Sequence, residues 1–127
     1  MIHEKRTALL PESQASLTTY VIENSPEMEP DRVRPAVIIC PGGGYEMLSD
    51  REAEPIAIKM MSFGFQAFVL HYSIKPAVYP LALKELAAAV RLVRTNHDTW
   101  HVDPEKIIVA GFSAGGHLAA NLGVSWQ

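Results

Sequence analysis

The chain has 127 residues, 48% of them hydrophobic and 20% charged, with a formal net charge of -3. That supplies one ordinary core and excludes disorder or collagen-like repetition. It also argues against a nucleic-acid partner, because the 11 Lys and Arg residues are scattered and form no basic stripe.

Cys40 is the only cysteine, so no intrachain disulfide is possible and a reducing, cytoplasmic location is expected. The N-terminus leads into no long apolar run, and no stretch approaches the roughly 20 apolar residues of a membrane span, so neither a secretory leader nor a membrane partner is expected.

In chain order, Ser16 to Ile22 carries β-branched and aromatic residues at strand spacing. The segment Asn24 to Pro35, with Pro26, Pro30 and Pro35 among its charges, reads as a loop. Ala36 to Cys40 is apolar at every position, which suits a strand covered on both faces. It runs into Pro41-Gly42-Gly43-Gly44, which ends it. Ser49 with Glu52 predicts a capping box for a helix through Ile56, Met60 and Met61, and Gly64 predicts its stop.

Gln66 to Tyr72 is a second buried strand. Pro80 opens the clearest helix, with Leu83, Leu86, Ala87, Val90 and Val93 on one face and Lys84, Arg91 and Arg94 largely on the other. Asp103-Pro104 predicts a turn into a third buried strand, Lys106 to Ala110, and Ser113 to Leu122 reads as a final helix. Strand and helix alternate throughout, which is the grammar of an α/β fold with a mostly parallel sheet flanked by helices.

Two glycine motifs follow buried strands. Gly111-Phe112-Ser113-Ala114-Gly115 fits G-x-S-x-G between a strand and a helix, a turn that projects the serine hydroxyl at the carboxyl end of the sheet. The N-terminus of the following helix favours developing negative charge there. Upstream, Pro41-Gly42-Gly43-Gly44-Tyr45 lets backbone N–H groups approach a substrate without side-chain obstruction.

With Gly64-Phe65-Gln66-Ala67-Phe68-Val69-Leu70 and Gly116-His117-Leu118-Ala119, these motifs resemble the α/β-hydrolase superfamily. Within it they most resemble the acetyl esterase and xylan esterase-like branch, related to the hormone-sensitive-lipase-like carboxylesterases. The resemblance runs from about Ala36 to Leu122. It implies that Ser113 is the nucleophile and that the N–H groups of Gly43, Gly44 and Ala114 form the oxyanion hole. It implies hydrolysis of short acyl esters, often acetyl groups on sugars, with no cofactor. Preference for ester over amide rests on the resemblance alone.

A serine needs a base, usually a histidine oriented by a carboxylate, and the superfamily order is Ser, then Asp or Glu, then His. The 14 residues after Ser113 contain no Asp or Glu, and their one histidine is His117. The expectation is therefore a single truncated α/β-hydrolase domain, residues 1–127, with its C-terminal strands absent. The last strand would be an exposed edge that invites a second copy or a completing chain.

Tyr45, His71 and His117 are candidate pocket residues beside a small-molecule ester, and each also has a purely structural reading. His117 lies one helical turn past Ser113, which carries it away from the hydroxyl. His97, Asp98, His101 and Asp103 have a spacing that suggests metal, but Asn96 and Pro104 bracket them as a turn, and no metal site is expected. Cys40 reads as a buried structural thiol. A non-catalytic remnant or interaction module is the alternative function. Nucleotide binding is disfavoured because Gly111 to Gly116 does not fit G-x-G-x-x-G.

Overall fold

The computed structural model describes residues 1–7, 9–10, 15–25, 27, 30–41, 53–72 and 79–111, with backbone alone at 79, 80 and 82. Its elements are β1 (Lys5–Arg6), β2 (Ser16–Tyr20), β3 (Arg34–Cys40), α1 (Glu54–Ser62), β4 (Gln66–His71), α2 (Tyr79–Thr95) and β5 (Val102–Gly111). The strands form one sheet in the order β1-β2-β4-β3-β5. β3 pairs in parallel with β4 and β5, whereas β2 runs antiparallel to β4 and β1 antiparallel to β2. The sheet is thus mixed, parallel in the half that carries both glycine motifs.

The all-apolar runs are explained by two cores on opposite faces. Ala36, Ile38 and Cys40 of β3 and Phe68 and Leu70 of β4 share one core with Leu86, Ala89, Val90 and Val93 of α2. The intervening Val37, Ile39, Ala67 and Val69 share the other with Ala57 of α1. Successive residues of a strand point to opposite faces, so a strand covered by a helix on each side must be apolar at every position. Among the described residues, no helix is long and apolar enough to cross a membrane.

Several boundaries differ from the sequence expectation. The N-cap of α1 is Ala53, without a side-chain cap bond, and Pro55 occupies the first turn where its missing N–H is harmless. Ser49 and Glu52 lie outside the described residues, and the cap falls on neither of them. β3 starts at Arg34 rather than Ala36, taking in Pro35 where the register with β5 shifts.

Asp103 and Pro104 lie inside β5 rather than before it. Arg34 pairs with Val102 and Ala36 with Ile107, so residues 103–106 bulge out opposite Pro35. The Asp103 carboxylate accepts the Glu105 N–H at 3.0 Å, the turn chemistry expected of this dipeptide, enclosed within a strand. Nor is β5 buried on both faces: Ile108 is 48% exposed. The strand is at the end of the sheet among the described residues, so its side chains lack one flank of neighbours.

Gly64 ends α1 at φ +93, in the left-handed region. Its N–H donates to Met61 O at 2.9 Å and that of Phe65 to Met60 O at 3.2 Å, the paired bonds of a Schellman stop. Gln66 then opens β4 fully buried. Its Oε1 accepts from Ile22 N at 2.7 Å, and its Nε2 donates to Ile22 O and Trp100 O, each at 2.9 Å. One side chain so satisfies three backbone groups from two loops. On α2, Lys84, Arg91 and Arg94 are exposed as expected, but Glu85 is fully buried, which the periodicity did not indicate.

Candidate active site

β3 and β5 run side by side in the same direction, and their last paired residues are Cys40 and Gly111. Neighbouring strands lie about 4.8 Å apart, so the two chains leave the sheet next to each other at its carboxyl edge. One continues through Pro41 into Gly42, Gly43, Gly44 and Tyr45. The other continues into Phe112, Ser113 and Ala114. Gly43, Gly44, Tyr45, Ser113, Ala114 and His117 lie outside the described residues, so the site is defined here by the ends that lead into it.

His71 closes β4 on the other flank of β3 and is half-buried. It stands two residues beyond Val69, the partner of Ile39, and therefore belongs to the same edge. Three strand ends thus converge, with β3 in the middle.

Cys40 is fully buried, and burial pushes its thiol up to about 12. A thiol held neutral in this way is no nucleophile near pH 7, in line with its structural reading. Tyr72, one residue after β4, is 2% exposed, and its hydroxyl donates to the carbonyl of Pro41. The sequence reading placed Tyr72 at the end of a strand without a role. The available signal was a phenol at the functional end of a buried strand, where its hydroxyl requires a partner.

The His97 to His101 turn joins α2 to the start of β5, at the end of that strand remote from Gly111. There His97 Nδ1 lies 3.4 Å from Asp98 Oδ1, and His101 adopts φ 54. This group is not brought to the edge where the glycine motifs emerge.

Residues 15–127 match the family model BD-FAE. Among solved structures, the chain is similar to MGS-M1, an α/β-hydrolase enzyme from a Medee basin deep-sea metagenome library. The two are 46% identical with a TM-score of 0.90, over 96% of this chain and 50% of that one. It is likewise similar to the carboxylesterase Cest-2923 from Lactobacillus plantarum WCFS1, 40% identical with a TM-score of 0.90, over 100% of this chain and 48% of that one. An acetylxylan esterase of Xylanibacter ruminicola is 31% identical over 86 residues, 67% of this chain and 18% of that protein. The chain therefore spans about half the length of these solved hydrolases and a smaller share of the curated relative.

Proposed function

The chain belongs to the BD-FAE family and has an α/β-hydrolase fold, and from that premise we propose that it carries the nucleophile and oxyanion hole of a serine carboxylic-ester hydrolase. Its substrates are short acyl esters, with acetyl esters of sugars the leading class. The likeness to a carboxylesterase and to an acetylxylan esterase supports that choice.

In this reading, the Ser113 hydroxyl attacks the ester carbonyl carbon as its proton passes to a base. The N–H groups of Gly43, Gly44 and Ala114 donate to the carbonyl oxygen as it becomes an oxyanion. Collapse of the tetrahedral intermediate expels the alcohol and leaves Ser113 acylated, and water then releases the acid. The histidine base and its carboxylate are assigned to no residue of this chain. Tyr45, His71 and His117 border the pocket in this proposal.

The observation that carries the reading is the register of Cys40 with Gly111. An oxyanion hole must supply donors within hydrogen-bond distance of the carbonyl that the nucleophile attacks. Motifs that follow neighbouring parallel strands at one edge are compatible with that requirement, which supports the reading; motifs at opposite ends of the sheet would not be.

The test is p-nitrophenyl acetate hydrolysis by the natural gene product that contains these residues, with Ser113→Ala beside it. Turnover that falls to background in the variant is expected, a loss on the order of 10⁴-fold or more. Equal rates in the two proteins would remove the serine-hydrolase reading.

A further inference from the structure

We propose that Tyr72 is a positioning residue for the oxyanion hole, fixing the take-off of the glycine loop through the Pro41 carbonyl. The proposal rests on the ester-hydrolase reading above and goes beyond it, because Tyr72 belongs to neither glycine motif.

The sheet ladder between β3 and β5 ends at Cys40 and Gly111. Pro41, the next residue, has no N–H and is buried, so only its carbonyl remains to be satisfied. A buried carbonyl without a donor is strongly disfavoured. The donor is the Tyr72 hydroxyl, which arrives from the end of the neighbouring strand β4. The Tyr72 ring is packed in the core cluster that includes Ile38, Cys40 and Phe68, so the phenol is a rigid arm anchored in that core.

The carbonyl that it holds belongs to the peptide group joining Pro41 to Gly42. The orientation of that group sets the direction in which the chain continues toward Gly43 and Gly44. Glycines impose little backbone preference of their own. A loop built from them needs its geometry imposed at its root, and oxyanion donors tolerate misplacement of only about 0.5 Å. The hydrogen bond between Tyr72 and Pro41 supplies that restraint from outside the loop.

The test is Tyr72→Phe, which keeps the ring and deletes the bond, in the natural gene product with p-nitrophenyl acetate. A fall in kcat of about tenfold or more is expected, with KM changed less than about twofold. Affinity for a boronic acid that forms a tetrahedral adduct should weaken in parallel.

Tyr20→Phe is the control, since it deletes a part-buried phenol bond to Glu54 Oε2, 3.0 Å long, while the ring stays packed in the other core cluster. It should leave kcat unchanged. Wild-type kcat in Tyr72→Phe overturns the proposal. So does an equal fall in both variants, or failure of Tyr72→Phe alone to fold, since the hydroxyl would then serve the core as a whole. Absence of Ser113-dependent turnover in the wild type is a separate result, which removes the hydrolase reading and this proposal with it.

Discussion

Cys40 and Gly111 face each other at the last paired position of two parallel strands, β3 and β5. They are 71 positions apart in the chain, yet each is the residue from which a glycine motif departs. A one-residue slip of β3 would exchange its two faces, sending Ile38 and Val37 each to the wrong core. The apolar packing that fixes the register therefore also fixes the separation of the two strand ends, Cys40 and Gly111. Core and site are coupled through this pair, and substitutions remote from the motifs are expected to act on stability.

Gln66→Leu should destabilise the fold by about 2 kcal/mol, although the volumes are close. The substitution leaves Ile22 N, Ile22 O and Trp100 O without their partner. A buried, unpaired backbone group costs on the order of 1–3 kcal/mol, in full for Trp100 O and less for the two groups of Ile22, which is half-buried. Urea denaturation measures it; a loss under about 1 kcal/mol would show that these groups find other donors and acceptors.

Gly64→Ala should cost about 1 kcal/mol, through backbone strain and not through a clash. At φ +93 an added Cβ would meet, among the described residues, only Arg34 Nη1, at 3.9 Å, an ordinary contact. Gly64→Asn should cost less, since asparagine tolerates the left-handed region better than alanine does. Thermal melts of the two variants decide this, and an equal loss in both would contradict it.

Cys40 should resist iodoacetamide at pH 8 in the native protein and react once the chain is unfolded. Burial raises its thiol from 9.0 to about 12, so the folded state disfavours the thiolate. Because the folded value lies above the unfolded one, the stabilisation is intact below pH 9 and is lost as pH rises toward 12. The expected slope is about 1.4 kcal/mol per pH unit in that window. Tyr20, raised from 10.0 to about 12 by burial first and then by its bond to Glu54 and that carboxylate's charge, acts in the same direction. Cys40→Ala should flatten the thiol's part of the decline, and an unchanged alkaline slope would refute its assignment to the thiol.

Local pattern carried a large part of this molecule. The unbroken apolar runs through Ile38 and Val69 identified strands covered on both faces, and the spacing of Leu86, Val90 and Val93 identified the buried face of α2. Gly64 marked a helix stop, and the two glycine motifs were placed directly after strands. These features are legible because the period of a strand or helix, and the backbone freedom of glycine, act over a few residues. The capping expectation at Ser49 and Glu52 falls outside the described residues, and α1 as described opens with Pro55 in its first turn.

What pairs with what was decided only by the tertiary structure. Nothing near Gln66 in the chain announces Ile22, 44 residues away, as the partner of its amide. Nor does the neighbourhood of Asp103-Pro104 show that its turn is enclosed in β5 opposite Pro35. The insertion of β4 between β2 and β3, the meeting of Cys40 with Gly111, and the reach of Tyr72 to Pro41 are of the same kind. Each depends on which faces bury together once α1 and α2 pack on the sheet, and that choice is made by packing across the whole core. The sequence by itself thus determined the kinds of element and the placing of two glycine motifs directly after strands. The packed sheet alone decided that Cys40 and Gly111, at the strand ends that lead into those motifs, meet at a single edge.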